Sequence, residues 1–145
     1  ITGDNVNKPN KGAHNLVIDG CTFTGRFANP GAPIAFTDQK RGEGGSGNIT
    51  IKNCTFDNEH ANYAIYGHYT GDSTNGHGDF VIENNTFKTQ CYTGPIYLGR
   101  YASNVPVVVK VNTFETVTSI DYAIYVQDHS SYGVSIDASD NTFAE

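Results

Sequence analysis

Tyrosines recur at one position of a short phrase that appears four times along the chain. The residue that follows the isoleucine of this phrase is Ala35, Tyr66, Tyr97 and Tyr125 in turn. Sugars pack their C–H faces on aromatic rings, and a phenol can hydrogen-bond to their hydroxyls. We therefore predict a carbohydrate-binding surface formed by Tyr66, Tyr97 and Tyr125, with Asp38 beside it. The alternative is an aromatic row that only stabilises a sheet.

Polar residues follow the same phrase, three to five residues after its isoleucine. Those with charged or acid–base groups are Asp38, His68, Tyr69, Arg100, Tyr101, Asp128 and His129. A lyase or epimerase of an acidic polysaccharide needs a cation to neutralise the uronate, a base for the C5 proton and an acid for the leaving oxygen. Arg100 could be the cation, and either His68 or His129 the base. Tyr69 or Tyr101 could then be the acid.

These polar residues form no recognised motif. The sequence contains no Gly-x-Ser-x-Gly, no phosphate-binding loop and no Cys-x-x-Cys. An ordinary solvated turn region is therefore the other interpretation, and the sequence leaves open whether the protein is an enzyme. We predict no metal ion and no cofactor.

The overall charge argues against two classes of partner. The net charge is −6, from 9 basic and 15 acidic residues, and no basic run is present that could hold phosphates. No apolar stretch approaches the roughly 18 residues of a membrane span. We therefore expect neither a nucleic-acid partner nor membrane insertion.

A nine-residue phrase ending in Thr-Phe recurs five times along the chain. The framework that these copies form must position the tyrosines and the polar residues. Its phenylalanines are spaced by 33, 31, 27 and 29 residues, and they are Phe23, Phe56, Phe87, Phe114 and Phe143. The isoleucine of the tyrosine-bearing phrase follows 11, 9, 9 and 10 residues after the preceding phenylalanine. Two phrases in a fixed order with a period near thirty indicate stacked supersecondary units.

Stacking in parallel and in register would turn each repeat position into a column. Counted back from the phenylalanine, positions −7 and −5 are apolar in every copy and should face inward. Position −4 is Asp19, Lys52, Glu83, Lys110 and Ser139, an alternation of charge that suits outward neighbours on adjacent strands.

Position −2 is predicted to be an internal column of hydrogen-bonding and sulfur-bearing residues. It contains Cys21, Cys54, Asn85, Asn112 and Asn141. Asparagine tolerates the left-handed backbone of a tight corner, and its amide can bond to the amide above it. A disulfide between Cys21 and Cys54 is within reach by Cα distance. Because in-register side chains point the same way, we instead expect two free buried thiols, with Cys91 as buried packing.

Phrases such as NITIKNCTF and DFVIENNTF resemble the coils of right-handed parallel β-helix proteins, the pectate-lyase-like group. The resemblance extends from about residue 13 to the end of the chain. It implies an all-β solenoid of about five coils with little or no helix. We expect one such domain over residues 1–145, as a module of a larger protein. Lyases, hydrolases, epimerases, phage tailspikes and adhesins share this fold, so the resemblance implies no single activity.

The function we expect is that of an extracellular β-helix module of a surface or secreted protein. It would bind a polysaccharide, a cell-surface glycan or another surface through the tyrosines. The first alternative is a lyase or epimerase of acidic glycans. The second is a structural subunit of a fibre or adhesin that associates end to end. Hydrolysis is disfavoured, because Asp38 and Asp128 would lie about 14 Å apart, beyond the roughly 5–9.5 Å that glycosidases use.

Overall fold

A computed structural model describes most of the repeated phrases. The described residues are 13–27, 31–37, 47–68, 80–88, 91, 93–99, 106–115, 122–126 and 135–144, without the side chains of His14, Thr37, His60 and His68. Within these ranges the chain contains only strands and turns. No helix in this part of the chain is long and apolar enough to cross a membrane.

Fourteen strands make up the described secondary structure, and each is short. They are β1 (His14–Asp19), β2 (Thr22–Arg26), β3 (Ile34–Thr37), β4 (Gly47–Lys52), β5 (Thr55–His60), β6 (Ile65–His68), β7 (Phe80–Glu83), β8 (Thr86–Phe87), β9 (Ile96–Gly99), β10 (Pro106–Lys110), β11 (Thr113–Phe114), β12 (Ile124–Val126), β13 (Ser135–Asp137) and β14 (Thr142–Phe143).

The strands form three sheets, and every pairing is parallel. Sheet A has the order β1-β4-β7-β10-β13, sheet B has β14-β11-β8-β5-β2, and sheet C has β12-β9-β6-β3. Neighbours within a sheet are therefore one repeat apart along the chain. Each repeat forms one coil, which confirms the predicted all-β parallel solenoid of five coils.

The register confirms the columns that the sequence predicts. Phe23 pairs with Phe56, and Phe56 pairs with Phe87. In sheet C, Ile65 pairs with Ile96. Equivalent repeat positions therefore lie directly above one another, one strand spacing apart.

The predicted inward positions form the core. In the three middle coils they are completely buried, namely Ile49, Ile51, Phe80, Ile82, Val107 and Val109. The phenylalanines stack beside them with ring centroids 4.8–5.1 Å apart and nearly parallel planes. Burial of each such side chain stabilises the fold by about 1.5–3 kcal/mol. In the last coil the same columns are partly open, since Ile136 is 40% and Phe143 49% exposed.

The asparagine column is a buried ladder of amides, as predicted. The Oδ1 atom of Asn112 accepts hydrogen bonds from the backbone N–H and from the Nδ2 of Asn85, both at 3.0 Å. The Nδ2 of Asn112 donates to the carbonyl of Ile82 at 2.9 Å. Asn141 repeats the pattern one coil further along. Each amide thus pairs buried backbone groups of the neighbouring coil, which would otherwise be costly to bury.

The left-handed corner lies one residue earlier than predicted. Positive φ angles of 53–66° occur at position −3, and the residues there are Gly20, Asn53, Asn84, Val111 and Asp140. This residue ends the sheet A strand and turns the chain, so that the next side chain can point inward. The asparagines at position −2 are therefore explained by their hydrogen bonds. Val111 is unusual, because a β-branched residue is strained in this conformation.

The cysteine predictions are confirmed in part. Cys21, Cys54 and Cys91 are all free thiols, and Cys54 and Cys91 are buried. Cys21 is exposed, which makes the prediction of two buried stacked thiols wrong for this residue. Cys21 lies in the first described coil, where no described coil packs on its outer side.

Candidate functional site

Strand alternation in sheet C sets the direction of the tyrosine side chains. In β9, Ile96 and Leu98 are completely buried, while Tyr97 between them is only partly buried. The same alternation places Tyr66 of β6 and Tyr125 of β12 on the outside of the sheet. The register then aligns the three tyrosines in one column.

Tyr66, Tyr97 and Tyr125 form what we call the tyrosine ladder. The ring centroids of Tyr66 and Tyr97 lie 5.2 Å apart with planes at 22°, and those of Tyr97 and Tyr125 lie 5.1 Å apart at 16°. In the first coil the same position is Ala35, which pairs with Tyr66. The ladder therefore contains three rings within the described coils.

Stacking changes what the ladder can offer to a ligand. Because adjacent rings cover part of each other's faces, the outward surface consists mainly of ring edges and phenol groups. Tyr125 is the most exposed large aromatic ring of sheet C, at 37%. A bound sugar would therefore contact the hydroxyl-bearing edges along the ladder, with a larger ring area available at Tyr125.

Two further tyrosines pack against the ladder. Tyr63 lies 5.0 Å from Tyr66 and 5.4 Å from Tyr97, measured between ring centroids. Tyr122 lies 4.8 Å from Tyr125 by the same measure. Both are partly buried. Together with the ladder they form a five-tyrosine cluster on the outside of sheet C.

Gly94 makes room for this cluster. It takes the position in its coil that Tyr63 and Tyr122 occupy in theirs, two residues before the isoleucine. A Cβ atom at Gly94 would clash first with the backbone oxygen of Tyr122, and it would lie 2.8 Å from the Cδ2 and Cε2 atoms of the Tyr122 ring, closer than real Cβ contacts. The Tyr122 ring therefore lies over the backbone of the neighbouring coil, where only glycine fits.

The phenols of the cluster influence one another. Burial raises the pKa of Tyr122 above its ordinary value, and its hydrogen bond and charge interaction with Tyr63 raise it further. Tyr97 and Tyr125 act in the same direction. Tyr122 is therefore neutral at physiological pH, and its hydroxyl can donate or accept a hydrogen bond.

The polar row predicted beside the tyrosines cannot be placed in the same way. Its members Asp38, Tyr69, Arg100, Tyr101, Asp128 and His129 lie outside the described residues, and of His68 only the backbone is described. The backbone of His68 pairs with Gly99 in sheet C, so the strands that lead to the row are in register. The lyase or epimerase chemistry stays a prediction.

The described residues contain no group of three or more histidine, cysteine, aspartate or glutamate side chains that could hold a metal ion. Sequence analysis did not include Tyr63, Gly94 or Tyr122 in the predicted site. The signal was present in the aligned phrases, where the column reads Tyr63, Gly94 and Tyr122. A glycine between two large residues of one column leaves space for the ring of an adjacent coil to lie over its backbone.

Comparison with known proteins agrees with the architecture. No curated protein and no solved structure matches the chain. A family model described as a right-handed beta helix region matches residues 10–145. Three parallel sheets, one strand of each per coil, are the structure that such a match implies. The chain therefore belongs to the right-handed β-helix family.

Proposed function

We propose that this chain is an extracellular β-helix module that binds carbohydrate through the five-tyrosine cluster. The observation that carries the proposal is the position of the cluster on the outer face of sheet C, where the Tyr125 ring is 37% exposed. Aromatic edges and neutral hydroxyls in one patch suit a ligand that has both C–H surfaces and hydroxyl groups.

The outer face of sheet A argues that the tyrosines do more than hold a sheet together. Its corresponding outward positions carry Thr50, Val81 and Val108 in the middle coils, and these strands pair in the same parallel register. The outer face of sheet A therefore combines β-branched residues with charged ones such as Lys52 and Glu83, and its strands contain no outward aromatic ring in these coils. By this comparison, the stability of sheet C does not require five tyrosines on its outer side.

The proposal is tested by glycan binding with purified protein. Neutral and acidic polysaccharides are screened by affinity electrophoresis, and the best ligand is measured by calorimetry. We expect the triple variant Tyr66→Ala, Tyr97→Ala and Tyr125→Ala to lose retention while circular dichroism still shows the β-helix. The matched control is Val108→Ala on sheet A, which should bind like the natural chain. Equal retention by the triple variant, or no retention of any glycan by the natural chain, would contradict the proposal.

A second candidate function is end-to-end association with another copy. The observation that favours it is the exposed apolar surface of the last coil, where Phe143 is 49% and Ile136 is 40% exposed. A first coil placed on this surface would bring Phe23 over Phe143 and continue the ladder. Sedimentation of the natural chain and of Phe143→Ser tests this, with concentration-dependent growth expected only for the natural chain.

A further inference from the structure

Cys21 and Cys54 are stacked in adjacent coils at the same repeat position. The residues that follow them, Thr22 and Thr55, are direct partners in sheet B. The N–H of Thr55 donates to the carbonyl of Cys21 at 2.9 Å. One strand spacing, about 4.8 Å, therefore separates the two backbones. This separation falls within the roughly 4.4–6.8 Å between Cα atoms that a disulfide spans.

The sulfur of Cys54 is directed toward the coil of Cys21. Its Sγ atom lies 3.1 Å from the carbonyl oxygen of Lys52 in its own coil and 3.8 Å from that of Ile18 in the first coil. The Sγ of Cys21 makes the same contact with its own coil, at 3.6 Å from the carbonyl oxygen of Asp19. Cys21 is also among the groups that shift the pKa of Cys54, which agrees with its position beside Cys54 in the column.

The two thiols differ in accessibility. Cys21 is exposed, whereas Cys54 is buried. Burial is the main cause that raises the pKa of Cys54, and the charges of Cys21 and Asp19 raise it further, against a lowering by the backbone N–H of Cys21. A small oxidant would therefore meet Cys21 first, and Cys54 would be the second thiol to react.

The Cys54 side chain contacts the first coil only weakly, through its Sγ atom at 3.8 Å from the carbonyl oxygen of Ile18. In the coils above, Asn112 and Asn141 each accept two hydrogen bonds from the coil below through the Oδ1 atom, whereas Asn85 accepts one, from the backbone N–H of Cys54. Cys54 has no amide oxygen to offer to the first coil. A covalent bond between the sulfurs would add a stronger connection between the two coils at this position.

We propose that Cys21 and Cys54 are a thiol–disulfide exchange site that takes small-molecule disulfides such as glutathione disulfide. The Cys21 thiolate attacks one sulfur of glutathione disulfide, which releases one glutathione and leaves a mixed disulfide. Cys54 loses its proton and attacks the Cys21 sulfur, which releases the second glutathione and forms the inter-coil bond. Two electrons and two protons pass from the cysteines to the oxidant.

The experiment uses the full chain in glutathione buffers of increasing oxidised fraction. Intact mass and peptide mapping without reductant are expected to show a Cys21–Cys54 bond, with the mass lower by two hydrogen atoms and no glutathione retained. Because the bond closes a loop of 33 residues, the urea midpoint of unfolding should rise on oxidation. Dithiothreitol should restore both the mass and the midpoint.

Three single variants make the result specific. Cys91→Ala should form the bond like the natural chain, because burial raises the pKa of Cys91 to about 12 and keeps this thiol inert. Cys54→Ala should retain one glutathione at Cys21, and Cys21→Ala should retain none. Two retained glutathiones, a bond that includes Cys91, or two unmodified thiols in the fully oxidised buffer would each overturn the proposal. If a variant does not fold, the peptide map of the natural chain decides the result.

Discussion

The repeat produces two ladders of stacked rings. The phenylalanine ladder points into the coil and consists of Phe23, Phe56, Phe87, Phe114 and Phe143, whereas the tyrosine ladder points out of it. Their ring centroids lie 4.8–5.1 Å apart in one case and 5.1–5.2 Å in the other. Phe56, Phe87 and Phe114 are at most 1% exposed, whereas Tyr125 is 37% exposed. Stacked rings are therefore a property of the coil. Only the side of the sheet decides whether a ladder is buried in the core or faces solvent.

Phe87→Ala should have the largest effect on this comparison. Phe87 stacks on Phe56 and Phe114 inside the coil, with centroids 4.8 Å away on each side. Removal of a buried phenylalanine costs about 3–5 kcal/mol of unfolding free energy, because a cavity remains. Urea denaturation measures the loss. A cost below about 1 kcal/mol would mean that the inner ladder is not a close-packed core.

Tyr97→Ala removes the middle ring of the outer ladder and should cost less. Tyr97 contacts the rings of Tyr63, Tyr66 and Tyr125 but is partly open to solvent. Because each aromatic pair contributes about 0.5–1.5 kcal/mol, we expect a loss of about 2 kcal/mol in the same denaturation experiment. The control Tyr97→Phe keeps the stack and should lose little stability. A cost equal to that of Phe87→Ala would remove the distinction between the ladders.

Val111→Asn should stabilise the fold, because it relieves backbone strain at the corner between β10 and β11. Val111 has a φ of 58°, where the other coils have glycine, asparagine or aspartate. The left-handed conformation costs an ordinary L-residue roughly 1–2 kcal/mol, so a gain of about 1 kcal/mol is expected in thermal or urea unfolding. Val111→Thr is the control, since it remains β-branched and should gain nothing. The reverse change Asn84→Val should lose more than this, because it also removes the hydrogen bond from the Nδ2 of Asn84 to the Oδ1 of Asn53 at 2.7 Å.

Titration of Tyr122 should give the smallest effect and concern the outer cluster alone. Its pKa is raised above the ordinary value of 10.0 by burial and by Tyr63. A raised folded-state pKa gives stability that is fully present below the unfolded value and is lost as the pH rises above it. The free energy of unfolding should therefore fall above about pH 10. Tyr122→Phe should flatten this part of the pH profile, while an unchanged slope would contradict the assignment.

The columns could be predicted because the period is explicit in the sequence. Five Thr-Phe pairs fix the register by themselves, and strand alternation then places Ile96 inward and Tyr97 outward. The corner could not be located as well, because Asn84 and Asn85 are adjacent and both suit a turn. Their different roles follow from backbone angles and hydrogen bonds that the period does not contain.

The candidate site shows the same limit. Alternation predicts that Tyr66, Tyr97 and Tyr125 share a face, but ring orientation depends on side-chain torsions and on the space that Gly94 leaves for Tyr122. Those depend on contacts between coils, which the sequence of a single phrase does not determine. The prediction that carbohydrate binds here stays a proposal.

The most direct measurement is an NMR titration of the protein carrying ¹³C-labelled tyrosine and phenylalanine rings with the polysaccharide that it retains most strongly. We predict saturable shifts of the ring signals of Tyr63, Tyr66, Tyr97, Tyr122 and Tyr125, and unchanged signals from the buried phenylalanines. Saturable binding that leaves these five tyrosines unshifted would contradict the central claim, because the outer ladder would then be structural in the way that the inner one is.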